Sequence, residues 1–203
     1  VVQILAWGIS GERAIIDRFD LHQPPEGAPR ANDRILDPAT YIEDREVLRP
    51  LLTKAYPLEG EEYGLTPIAV GCDFHGEPGV SDNAEKFWKA RRKDGEARRW
   101  FMIRGHGGFK VADRVWYKAP ERGNAGKKAR SIKLLNVATD KLKDSVIASI
   151  QREDRGPGAM HYGAWMAVEH LTEFTAEKRE PTGWKTRPNM KRNESIDISV
   201  YGL

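Results

Sequence analysis

The chain has 203 residues, 39% of them hydrophobic and 31% charged, with a formal net charge of +3. That length suits one ordinary domain with a core of its own, and the balance excludes a membrane protein or a disordered tail. A single cysteine, Cys72, excludes a disulfide framework and any multi-cysteine zinc site. No apolar run approaches the roughly 18–20 residues that would span a bilayer, and no signal peptide opens the chain. A soluble intracellular domain is expected.

The first residues, Val1 to Gly8, are rich in β-formers. Ile9-Ser10-Gly11-Glu12 then reads as a hairpin turn into a second strand over Arg13–His22. After the Pro-rich loop at 24–29, Asp37-Pro38 predicts a helix start, with Asp37 as N-cap and an apolar stripe through Leu52 that Pro50 would divide. The nearly unbroken apolar run from Pro67 to Phe74 carries Asp73 near its end. It reads as a central strand buried on both faces. Ser81 is expected to cap a helix to about Lys93, followed by a strand over Arg99–Arg104 and the glycine-rich Gly105–Gly108. Further on come a strand over Ile132–Ala138, a helix over Asp140–Ile150, a short strand at Met160–Tyr162, a helix from about Met166 to Arg179, and a terminal helix over Asn193–Tyr201. Antiparallel strands first and βα units afterwards predict an α/β fold, a mixed sheet flanked by helices.

Charge placement is more informative than net charge. Basic residues crowd Glu85–Arg99 and Lys110–Lys133, and Lys185, Arg187, Lys191 and Arg192 form a third cluster without an acid inside it. Solvated surface explains any one of these clusters. Three of them, interleaved with Trp88, Trp100, Trp116, Tyr117 and Trp184, point to a polyanion partner such as nucleic acid. The stretch from Lys110 to Lys133 leaves the predicted sheet just after Arg104. Its Lys127, Lys128 and Arg130 are expected to meet phosphate.

No phosphate-cradling G-x-x-x-x-G-K-[ST] motif and no H-E-x-x-H occur. Cys72, in a buried strand, reads as a small core residue. Carboxylates remain. Asp73 stands at the carboxyl edge of a strand, where open α/β sheets bind ligands, although a turn cap explains its position equally well. Glu194 and Asp197 are three apart and share a face of the terminal helix; there Glu194 could merely favour the helix dipole and Asp197 be solvated. Hard divalent cations need such carboxylates gathered from separate segments, and Asp73 and Asp197 could supply them.

Asn193-Glu194-Ser195-Ile196-Asp197-Ile198-Ser199-Val200-Tyr201 resembles the C-terminal Asn-Glu-x-x-Asp-x-x-x-Tyr signature of large terminase subunits from lambda-like tailed phages. Ile68–Gly76 looks like that family's second acidic strand, and Ile103-Arg104-Gly105 like its strand ending in Lys-Gly, with Arg in place of Lys. Thr139-Asp140-Lys141-Leu142-Lys143, Gly156-Pro157-Gly158 through His161, and Thr175-Ala176-Glu177 are similar to later family segments in the same order. The resemblance implies an RNase H-like nuclease domain over residues 1–203 that cuts double-stranded DNA with Mg²⁺ or Mn²⁺ in a two-metal site. It carries Asp73 onto the second metal-binding acid and Asp197 onto the C-terminal one, with Glu194 a further ligand candidate. It makes Lys143 a candidate for DNA contact and His161 for a supporting position, beside Arg104 and Lys110 at the start of the basic stretch, which are DNA-contact candidates by their charge. Val1–Gly8 looks like the family's second strand, which implies that its first strand and first acid lie outside this chain. The implied partners are double-stranded DNA, the small terminase subunit and the portal, in the cytoplasm of the host cell. A non-cleaving module that binds DNA and couples it to a motor is the other reading, and an α/β domain for an unrelated ligand a third.

Overall fold

The computed structural model describes residues 1–74, 78–111, 114–117, 132, 134–154 and 156–203, with Trp116 and Tyr117 as backbone alone. Lys127, Lys128 and Arg130 lie outside the described residues. Contacts gather the chain into two compact units. One comprises Val1–Asp20, Gly105–Trp116 and Val137–Leu203, and the other Leu21–Arg104 and Tyr117–Asn136.

The first unit opens with the expected hairpin. Strands β1 (Val2–Trp7) and β2 (Arg13–Phe19) pair antiparallel, with a register shift between Ile4 and Leu5. Gly11 takes a positive φ of 85° in the connecting turn, which favours a residue without Cβ. Strand β9 (Met160–Tyr162) adds to β2 in parallel, so this sheet is mixed, but the later strands expected to extend it pair in a separate sheet. In the same unit Ala138, at the end of β8 (Leu135–Ala138), donates its amide to Arg114, which precedes β7 (Val115–Tyr117). Helix α2 (Thr139–Ile150) follows β8 directly. It packs on α4 (Glu194–Tyr201) and on β9, and α4 packs on β1. Ile15, Leu142, Val146, Met160, Ile196 and Val200 are buried here, each contributing roughly 1.5–3 kcal/mol by leaving water.

The predicted helix from Met166 to Arg179 is a correction. Only Val168–Glu173 is helical (α3), and Glu177–Glu180 (β10) and Gly183–Thr186 (β11) form a two-stranded antiparallel sheet. Lys, Arg and Glu suit helices by propensity. Here the turn at Pro181-Thr182-Gly183, together with anchoring of the hairpin on α2, decides the structure.

In the second unit the short strands β3 (Tyr56–Pro57) and β4 (Gly64–Leu65) pair antiparallel. Strands β5 (Val70–Asp73) and β6 (Trp100–His106) pair in parallel, with Asp73 opposite Ile103, and β8 begins on the other side of β6. Strand β5 is therefore an edge among the described residues, and it is shorter than the apolar run. Ile68 is 86% exposed, while Cys72 and Phe74 are buried. An apolar run without alternation does not reveal whether both faces are covered, and here one face meets the core. That core joins Leu52, Cys72, Phe74, Phe87, Trp88 and Trp100. Trp88 Nε1 donates to the Trp100 carbonyl at 3.1 Å, and the Phe87 and Trp100 rings meet edge-to-face at 5.0 Å.

Two predicted helix starts in this unit also shift. The segment after Asp37 is a turn, with Asp37 Oδ1 accepting from the amides of Ala39 and Thr40. A 3₁₀ helix then runs Ile42–Leu52 with Pro50 inside it, a residue that breaks an α-helical ladder. Helix α1 (Val80–Lys93) starts from Gly79, not from a Ser81 cap; Ser81 Oγ donates to the Phe74 carbonyl at 2.7 Å.

Candidate active site

Three elements of the first unit converge on one polar cluster. Lys143 lies in the second turn of α2, Glu177 opens β10, and Asn193 and Asp197 sit at the start of α4. Lys143 Nζ reaches Glu177 Oε2 at 2.5 Å and Asp197 Oδ1 at 2.8 Å. Asn193 Nδ2 donates to Glu177 Oε1 and to Asp197 Oδ2, both at 2.8 Å. The four side chains close a ring in which two donors each bridge the same two carboxylates. Asn193 stands at the N-cap position, yet its amide serves this ring, not the helix.

The charges are unequal in a useful way. Two carboxylates face one ammonium, which leaves a net negative site. Burial pushes the Lys143 ammonium down, but Asp197 and Glu177 outweigh it, so its pKa is raised and the charge held. Lys143 and Glu177 are buried, whereas the Asp197 side chain is 34% exposed and forms the solvent-facing side of the ring.

Neighbouring contacts fix the frame. Glu173, at the end of α3, accepts from Ser195 N at 2.8 Å and Ser195 Oγ at 2.6 Å, and from Arg18 at 3.2 Å. A carboxylate so placed favours the positive end of the α4 dipole. Asp140 Oδ2 accepts from the amides of Gly108 at 2.8 Å and Trp184 at 3.0 Å. Asp144 accepts from Arg179 Nε and Trp184 Nε1, each at 2.9 Å. Helix α2 is thereby tied to the β10–β11 hairpin on the side that brings Glu177 to Lys143.

Of the residues expected from sequence, Asp197 and Lys143 meet in this ring. Glu194 instead turns to Arg192, at 3.1 Å. Glu177 is the carboxylate that the structure sets beside Asp197 in the ring. Its segment reads as a helix in the sequence, and the Thr175-Ala176-Glu177 resemblance is the signal that points to it. His161 lies half-buried on β9, opposite Ala14. Lys110 is exposed. Asp73 and Arg104 belong to the second unit, at neighbouring positions on the carboxyl side of the β5–β6 pair. There Asp73 is exposed and Arg104 stacks over the Phe74 ring at 5.3 Å. The turn that Asp73 would cap runs into residues 75–77, outside the described residues.

Among the described residues no group of three or more His, Cys, Asp or Glu side chains is placed to hold a metal ion. The donors of the ring suit a hard divalent cation in kind, being carboxylate oxygens with one carboxylate open to solvent. In this structure Lys143 supplies the positive charge those oxygens hold.

No helix among the described residues is long and apolar enough to cross a membrane. Neither the comparison with curated proteins nor that with solved structures finds a match for the chain. The family model described as "Terminase large subunit gpA, endonuclease domain" matches residues 1–203. The chain therefore belongs to the family of terminase large-subunit endonuclease domains, nucleases of DNA packaging.

Proposed function

We propose that the chain is a divalent-metal-dependent endonuclease with an RNase H-like fold that cuts double-stranded DNA concatemers during genome packaging. The observation that carries this reading is the Lys143–Glu177–Asn193–Asp197 ring, a preorganised, net negative carboxylate site in a chain of the endonuclease family. The terminase resemblance assigns Asp197 and Asp73 as the acids that would hold Mg²⁺ or Mn²⁺, with Glu194 as a further ligand. When bound, such ions activate a water and stabilise the leaving oxygen of a phosphodiester.

The chain's own residues do the rest. Asn193 and Lys143 fix the rotamers of Asp197 and Glu177, and Lys143 must give way where a metal ion takes those oxygens. His161 is assigned a supporting place, and Arg104, Lys110, Lys127, Lys128 and Arg130 are assigned to the phosphates of the duplex. The site works in the host cytoplasm, beside the small terminase subunit and the portal.

The test is plasmid nicking with Mn²⁺ or Mg²⁺, with and without EDTA, for wild type, Asp73→Asn and Asp197→Asn. Asn keeps the size of the side chain and removes the charge a hard cation needs. Cleavage that EDTA stops and both variants lose is expected, with folding and duplex affinity nearly intact. Wild-type rates in either variant would remove that residue from the metal site.

One observation favours a second reading, a DNA-binding or motor-coupling module that does not cut. All four oxygens of Glu177 and Asp197 already accept from Lys143 or Asn193. Duplex binding without EDTA-sensitive cleavage would establish that reading.

A further inference from the structure

The β10–β11 hairpin has two unlike faces. Its register sets Arg179 opposite Trp184 and Lys178 opposite Lys185. Side chains alternate along a strand, so Glu177, Arg179 and Trp184 share one face and Lys178, Glu180 and Lys185 the other. The first face is spoken for. Trp184 and Arg179 bind Asp144 on α2, and Glu177 enters the Lys143 ring.

The second face is exposed and basic. Lys178 and Lys185 stand directly across from each other, an arrangement of like charges that weakens a sheet. The acid on this face, Glu180, receives Lys178 Nζ at 2.8 Å. Continuing past β11, Arg187 and Lys191 are also exposed, and no acid lies between Lys185 and Lys191. Glu180 offsets part of this repulsion, and Lys185, Arg187 and Lys191 leave the face net positive, which suits an anion.

We infer that this outer hairpin face, Lys178 and Lys185 with Arg187 and Lys191 beyond, seats the phosphate backbone of duplex DNA. It would act as the positioning surface for the Glu177–Lys143–Asp197 site. The inference rests on the endonuclease reading for the chemistry that follows, but not for the binding itself. Lys178 and Glu177 project from opposite faces of β10, so the surface anchors duplex flanking the site and does not hold the phosphate to be cut. Phosphate contacts of this kind set position and carry no sequence information.

The experiment measures fluorescence anisotropy of a labelled duplex of random sequence over a series of KCl concentrations. Wild type, Lys178→Ala/Lys185→Ala and Lys178→Arg/Lys185→Arg are compared, alongside nicking kinetics. The double alanine variant should bind all duplexes more weakly. Its log–log salt slope should flatten by about 1.8, at roughly 0.9 for each phosphate left without its cation. KM should rise with little change in kcat, and the arginine pair should restore both. Thermal melting should change little, since the substitution removes the opposed like charges together with the exposed Lys178–Glu180 pair. An alanine variant that cuts DNA with wild-type affinity and salt slope would overturn the inference and leave the endonuclease reading standing. Weakened, salt-flattened binding in a protein that never cuts would uphold the surface and overturn the endonuclease reading.

Discussion

At the scale of single residues, the site depends on one close approach. Gly183 has a φ of 148°, and a Cβ there would run into Asp140 Oδ2. That carboxylate holds the Trp184 and Gly108 amides, so it has no freedom to retreat without losing both. Gly183→Ala should therefore destabilise the protein by about 1–3 kcal/mol through backbone strain, with the broken hydrogen bonds adding to it. Urea unfolding of variant against wild type measures the difference, and unchanged stability would show that the hairpin can shift on α2. Glycine here is a requirement of the site, because the same backbone turn delivers Glu177 to Lys143.

Helix α4 shows the same logic at the level of an element. Its N-cap is Asn193, its first turn carries Asp197, and Glu173 fastens it from α3. Burial pushes the Glu173 carboxyl up, but Ser195 and Arg18 more than reverse this and hold its pKa below the ordinary value. A carboxyl with a depressed native pKa stabilises the fold above its unfolded value, about 4.3 for Glu, and ceases to do so as pH falls through the native value. Glu173→Gln should cost about 1.5–3 kcal/mol at neutral pH, the range for hydrogen bonds to a charged group. The gap from wild type should close as the pH drops below about 4.3. Parallel stability curves across that window would place the stabilisation elsewhere. Elements with their own local signals were legible from sequence: the β1–β2 hairpin, α2, β9 and α4 fall close to their predicted ranges. The β10–β11 hairpin was not, since its stability comes from Asp140 and Asp144, more than thirty residues upstream. Asp197 was readable from its place in a helical motif. Glu177 became a site residue only when the hairpin brought it to Lys143.

Across the whole molecule, a net charge of +3 understates what the surface offers a polyanion. The cations are gathered in clusters, and only some are matched by acids. Arg91, for example, is already engaged by Glu46 and Asp94, whereas the stretch from Lys110 to Lys133 has eight basic residues against Asp113 and Glu121. Lys127→Ala/Lys128→Ala/Arg130→Ala should weaken binding to every duplex alike and lower the salt slope by roughly 0.9 for each phosphate no longer neutralised. Retention of wild-type affinity and slope would assign that stretch to solvent or to a protein partner. Cys72, the lone thiol, gives the molecule a built-in clock. It is 6% exposed within the aromatic core of the second unit, and an alkylating reagent reaches it only when that core opens. Under native conditions its labelling rate should be slow and should follow the opening equilibrium of that unit. Destabilising substitutions around Trp88 and Trp100 should speed it strongly. Rapid modification of the folded wild type would contradict the packing around Phe74 and Phe87. Because the thiol reports one unit and circular dichroism reports the whole chain, comparing the two shows which parts of the protein come apart together.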